Sequence, residues 1–201
     1  MDAAPDRRWP FWVALAGALG IIAALTWPAD YLATDDWFFV DFGRRPLTWD
    51  RLFSLQREGT PAIRPVALAM ARAEWLVLGE AALPRRLFYL GLHGLAVVLA
   101  RALARRHLAS AQSDVLALTF LVWPFHGEVL GWYHSAETAI PWTVLGLWTA
   151  LLWVQGRRRL ALVPLGIALL TRENAVVIGP LLVVLEHTLG APWRQAARRV
   201  L

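Results

Sequence analysis

Two adjacent carboxylates, Asp35 and Asp36, follow the first apolar run of the chain. Adjacent carboxylates repel, so one of them holds its proton to higher pH. A carboxylate raised in this way can act as a general base. The pair could also ligate a hard divalent cation, or simply lie in a solvated turn. His126 and Glu128 stand two apart after Trp123-Pro124. They could supply two ligands to a metal ion, although two ligands do not make a site. Arg172 and Glu173 are neighbours between two apolar runs. They could form a plain ion pair, and an Arg at a membrane surface could hold a lipid phosphate through two parallel hydrogen bonds. Arg64 precedes Pro65, and His93 lies inside an apolar run. A polar side chain within such a run is a site candidate, or it bonds to a neighbouring helix.

The elements that position these residues are set by hydropathy. The chain has 201 residues, of which 58% are hydrophobic. Its mean hydropathy of +0.46 is high for a soluble domain of this size. Residues 9–27 and 138–154 carry no ionisable group. Such runs approach the roughly 20 residues that cross a ~30 Å hydrocarbon core. Many of the 12 Trp stand near the ends of apolar runs, as in interfacial aromatic belts. Arg7 and Arg8 precede the first run, but that run is long for a signal peptide and no clear cleavage site follows, so it reads as a retained span. Cys is absent, which excludes disulfides, thiolate metal sites and a Cys nucleophile.

These patterns predict an all-α integral membrane protein of about six transmembrane helices. The spans fall at residues 9–27, 87–103, 109–125, 138–154, 160–170 and 175–185. Residues 28–86 form a long first loop with eight acidic and eight basic side chains. Within it, residues 65–79 suit a helix lying in the membrane interface. Residues 160–185 admit two descriptions, a hairpin of two short spans or one tilted helix. Mid-membrane burial of Arg172 and Glu173 is costly, and arginines flank both ends, which favours the hairpin. Counting arginines, 11 fall on one side: Arg7, Arg8, Arg101, Arg105, Arg106, Arg157 to Arg159, Arg194, Arg198 and Arg199. The positive-inside rule then puts both termini in the cytoplasm. It puts Asp35, Asp36, Arg64, His126, Glu128, Arg172 and Glu173 on the outer face. The basic surplus is thus a topology signal rather than a sign of nucleic-acid binding.

The order of these motifs resembles the N-terminal half of the GT-C glycosyltransferases. It is close to the bacterial relatives of the transmembrane O-mannosyltransferases that carry tetratricopeptide repeats. The residues that carry the likeness are Asp35-Asp36-Trp37, Arg64-Pro65-Val66, Leu92-His93, Trp123-Pro124-Phe125-His126-Gly127-Glu128 and Arg172-Glu173-Asn174, within residues 9–186. The resemblance implies an inverting transfer of sugar from a polyprenyl-phosphate carrier to an acceptor protein, lipid or glycan. It implies a site on the outer face of a bacterial inner membrane. Asp35 or Asp36 would be the catalytic base. Arg64 and Arg172 would hold the donor phosphate, with His93, His126, Glu128 and Glu173 as further substrate-binding residues. A divalent cation is the one cofactor to consider.

Two departures bear on this expectation. Relatives carry an Arg about eight residues after the Glu that matches Glu128, where this chain has Ala136. The family also has more spans, so residues 1–201 read as a single transmembrane domain that is a truncated or reduced homologue. The alternative expectation is a non-catalytic membrane protein of the same fold that binds a lipid or partner. A small transporter subunit is a third, supported only by His93, Asp114 and small residues such as Gly94 within the spans.

Overall fold

The computed structural model describes residues 9–26, 36–53, 64–122 and 133–200. They are helical, with no strand among them. The helices are α1 (Trp9–Thr26), α2 (Asp36–Arg44), α3 (Trp49–Phe53), α4 (Pro65–Leu78), α5 (Ala82–Ala104) and α6 (Ser110–Leu121). There follow α7 (Tyr133–Val154), α8 (Arg158–Thr171), a 3-10 turn (Glu173–Val177), α9 (Ile178–Thr188) and α10 (Trp193–Val200). Pro65 opens α4 at its first turn, where the missing N–H is no loss and φ is already helical. Gly156, with φ of 76°, makes the tight reversal between α7 and α8 that a Cβ would oppose.

Among the described residues, six helices alternate in direction. Phe11 at the start of α1 meets Arg101 near the end of α5, and Leu19 lies against Gly94. These two helices are therefore antiparallel. Arg101 pairs with Asp114, and His93 meets Leu121, so α6 runs back along α5. Tyr89 and Ala96 share a core with Ile140 and Val144, and the α4 segment meets both the start of α5 at Tyr89 and the end of α8 at Glu173, which favours α7 parallel to α5. Ile178 packs on Gly146, and Glu186 bonds Trp153, so α9 runs parallel to α7. Between them α8 runs the other way, and its first residue Arg158 touches Glu186 near the end of α9.

That last contact decides between the two descriptions of residues 160–185. One tilted helix would separate Arg158 from Glu186 by about 42 Å. Instead Arg172 is extended, at φ −155° and ψ 137°, and the chain turns back through the 3-10 segment. The structure also corrects the start of the second long helix. The sequence placed Arg85 and Arg86 in the preceding loop, but α5 begins at Ala82. Arg85 is accommodated because it donates to Gly79 O at 3.1 Å and lies 3.8 Å from Glu74. Among the described residues, the loop 28–86 holds three helices, α2, α3 and α4, rather than the single one expected.

Many of the contacts between helices are made at small residues: Ala67, Ala71, Ala96, Ala117, Ala161, Ala168 and Ala175 are at most 1% exposed, beside larger buried side chains such as Phe11, Tyr89, Leu121 and Leu182. Other large apolar side chains face outward, among them Val13, Ile21, Leu25, Val115, Leu162, Val163 and Leu181. Small residues bring helix backbones close, as they do in lipid, where apolar side chains gain nothing by leaving their solvent. Buried and half-buried hydroxyls are satisfied within their own helices: Thr143, Thr149 and Thr171 each donate to the carbonyl four residues back. By length and composition, α5 is the one described helix long and apolar enough to cross a membrane. Residues Trp9–Leu25 and Ala139–Val154 are shorter apolar stretches.

Candidate functional site

The site is built at the end of the bundle where α1 finishes and α5 begins. Arg64 stands immediately before Pro65 and precedes α4 with φ −128° and ψ 57°, outside the helical region that a following proline ring disfavours. Its guanidinium reaches Glu173, 109 residues further along the chain. Nε donates to Oε2 at 2.8 Å and Nη2 donates to Oε1 at 2.5 Å. This is a fork-to-fork contact, the stronger form of the Arg–carboxylate pair. Arg64 is about one fifth exposed and Glu173 about half exposed, at 21% and 54% of their side chains.

Arg172 adds a second guanidinium beside this pair. Burial lowers its pKa, the positive charge of Arg64 lowers it further, and the Glu173 carboxylate opposes both. Glu173 is held below the ordinary carboxylate range, chiefly by the hydrogen bonds from Arg64, with the charges of Arg64 and Arg172 acting the same way. Two cations and one anion leave the cluster with a net positive charge. An electropositive, partly desolvated pair of guanidiniums matches a phosphate group in charge.

A platform of buried ionic contacts supports Arg64. About 15 Å further along α4, Glu74 accepts a hydrogen bond from the Tyr89 hydroxyl and faces Arg85. Arg85 is fully buried and Glu74 and Tyr89 nearly so. These contacts fasten α4 to α5. On its other side α4 carries α2. Arg72 donates to Gly43 O at 2.7 Å and Arg44 O at 3.1 Å, closing the last carbonyls of α2. Arg44 in turn pairs with Glu80 and stacks over Trp75. Gly43 lies so close to α4 that a Cβ there would stand 2.7 Å from Ala71 O.

The predicted residues distribute as follows. Arg64, Arg172 and Glu173 come together. His93 is buried between α5 and α6, where Nε2 lies 3.2 Å from Leu121 O. A carbonyl only accepts, so Nε2 carries the proton in that contact. The His93 ring also packs on Phe120, with ring centroids 5.8 Å apart. His93 therefore ties α5 to the end of α6, just before the segment that carries His126 and Glu128. Asp36 is the first residue of α2. Asp35, His126, Glu128 and the side chain of Asp36 lie outside the described residues. Among the described residues, no group of three or more His, Cys, Asp or Glu is placed to hold a metal ion.

Sequence reasoning missed the support beneath Arg64. By sequence, residues 65–79 suit an interfacial helix, while the structure shows Arg72 and Glu74 within them as structural ties, one to α2 and one to α5. Each partner lies 15 to 29 residues away, and no local pattern announces such pairs. The signal that was available is compositional: a Glu and an Arg on two consecutive apolar helices need partners. No family model, no curated protein and no solved structure matches this chain.

Proposed function

We propose that this chain is a six-span membrane protein of GT-C type that binds a polyprenyl-phosphate sugar at the Arg64–Arg172–Glu173 end. Sugar transfer to an acceptor hydroxyl is the activity this site would serve, in a bacterial inner membrane with the site on the outer face. The single observation that carries this reading is the Arg64–Glu173 contact beside Arg172. It joins two of the motifs on which the resemblance rests, although 109 residues separate them. The outward-facing Leu, Ile and Val side chains and the alternation of six described helices support the membrane reading. The helices α8 and α9 are about 21 and 16 Å long, short of a hydrocarbon core, so their hairpin would need the flanking arginines at the interface.

In this reaction Asp35 or Asp36 takes the proton of the acceptor hydroxyl. The acceptor oxygen attacks the anomeric carbon, and the bond to the carrier phosphate breaks on the opposite side. The leaving phosphate takes the electron pair and is neutralised by Arg64 and Arg172. A second reading is a non-catalytic relative that binds the lipid alone. Ala136, in place of the expected Arg, favours it.

Native mass spectrometry of the detergent-purified chain tests the donor site. A co-purified polyprenyl phosphate that is lost in Arg172→Ala and in Arg64→Gln is the expected result. A folded wild-type sample without such a lipid would overturn the donor reading. With the lipid bound, Asp35→Asn with Asp36→Asn separates the two activities: it stops sugar transfer in an enzyme and changes nothing in a lipid-binding relative.

A further inference from the structure

We propose that the opposite end of the bundle is a binding surface for the phosphate headgroups of anionic phospholipids, formed where Glu186 of α9 joins α10 to the end of α7 and the start of α8. It rests on the reading of the chain as membrane-spanning, but it involves none of the donor-site residues.

The surface is organised by one buried carboxylate. Glu186, only 2% exposed, accepts hydrogen bonds from Trp153 Nε1 at 2.8 Å, Arg158 at 2.6 Å and Arg199 at 2.8 Å. Three helices are thereby fixed to α9 at one point. Ala196 is fully buried, and Val200 packs with the core of α7, α8 and α9. These two residues, four apart, define the inner face of α10. Arg194 and Arg198 share the other face and are exposed.

Glu186 uses up Arg158 and Arg199 but leaves their neighbours. Arg157, Arg159, Arg194 and Arg198 are exposed and enter no ion pair among the described residues. Four guanidiniums are thus anchored around a fixed point with no counter-charge of their own. Exposed apolar side chains rim them: Leu160, Leu162, Val163, Leu189 and Trp193. Trp193 is itself held, stacked on His187 with ring centroids 3.9 Å apart. Arginines at the edge of an apolar band, with a Trp at the boundary, match a leaflet in which phosphates lie above acyl chains. A nucleic acid would meet the charge but leave that apolar rim in water.

Basic residues near an anionic leaflet contribute about 1 kcal/mol each, equivalent to roughly fivefold in association. The test is lipid competition on the full chain, measured by native mass spectrometry with phosphatidylglycerol against phosphatidylcholine. The wild type should prefer phosphatidylglycerol. Arg194→Gln with Arg198→Gln should lower that preference roughly 25-fold if the two sites add. The corresponding double Lys variant should keep most of it, and Arg64→Gln should leave it intact. If the double Gln variant does not fold, as judged by circular dichroism, Arg157→Gln with Arg159→Gln takes its place. A preference that survives in the Gln variant, or none in the wild type, overturns the proposal. Alkaline carbonate extraction of native membranes tests the underlying membrane reading separately. Release of the chain by carbonate sinks both, whereas a retained chain with no lipid preference sinks the headgroup site alone.

Discussion

Glu173 is the residue whose behaviour can be forecast most directly. Its folded pKa lies below the ordinary carboxylate value because Arg64 hydrogen-bonds the charged form. A group with a depressed folded pKa contributes stability above its unfolded pKa, about 4.3 for Glu. That contribution is complete at neutral pH and is lost as pH falls through the depressed folded value. Half of the Glu173 side chain is in solvent, so screening limits the pair to about 1 kcal/mol or less. Thermal unfolding in detergent between neutral and acidic pH should therefore show a component that disappears in Glu173→Gln. If wild type and variant lose stability in parallel on acidification, Arg64 and Glu173 are not coupled in this way. The same substitution has a second consequence. Glu173 occupies the Arg64 fork in the geometry a phosphate would take, so Glu173→Gln should leave Arg64 more available to an anionic headgroup.

At the scale of elements, the question is what holds α4 in place, because α4 carries Arg64. The answer is buried charge on one side and close backbone contact on the other. Removing Glu74 leaves Arg85 fully buried without its carboxylate. Glu74→Leu should cost about 3–5 kcal/mol, the range for breaking one partner of a buried pair. Gly43→Ala should cost about 1–3 kcal/mol by forcing α2 away from α4. Both would appear as lowered unfolding temperatures. An unchanged temperature in Gly43→Ala would mean that α2 does not sit against Ala71 as described. The helix α4 was legible in the sequence, since Pro65 after Arg64 marks a start and the following apolar run gives a length. The beginning of α5 was not. Arg85 and Arg86 looked like the end of a loop, because a sequence does not show that Gly79 and Glu74 will receive the first of them. For the same reason the fork between Arg64 and Glu173 could only be an expectation of shared sidedness. Residues so distant in the chain meet through the path of α4 over the bundle, which hydropathy does not encode.

Among the described residues, one end of the bundle carries Arg64, Arg172 and Glu173, with the mixed charges of α2, α3, α4 and the start of α5; the other carries Arg101, Arg105, Arg106, Arg157 to Arg159, Arg194, Arg198 and Arg199. The alternation of six described helices puts the α5–α6, α7–α8 and α9–α10 turns at one end and the α8–α9 turn, with Arg172 and Glu173, at the other, where Arg64 joins them through Glu173. The charge count in the sequence separated them in the same way, because loops joining alternating helices must sort residues by end. If the bundle spans a membrane, the two ends face different compartments. The chain contains no Cys, so single cysteines can report sidedness without removing any native thiol. Asn174 and Gln155 are exposed turn-region positions at opposite ends. In intact cells, Asn174→Cys should react with a membrane-impermeant maleimide, while Gln155→Cys should react only after permeabilisation. A third position, Arg106→Cys between α5 and α6, should follow Gln155→Cys. Equal labelling of all three in intact cells would show that the two ends share one compartment. That result would end the spanning interpretation and, with it, both binding surfaces assigned to lipid. Labelling of Asn174→Cys and Arg106→Cys together, with Gln155→Cys protected, would instead place the error in the α5–α6 pair. The Arg101–Asp114 contact would then have to form outside the hydrocarbon core.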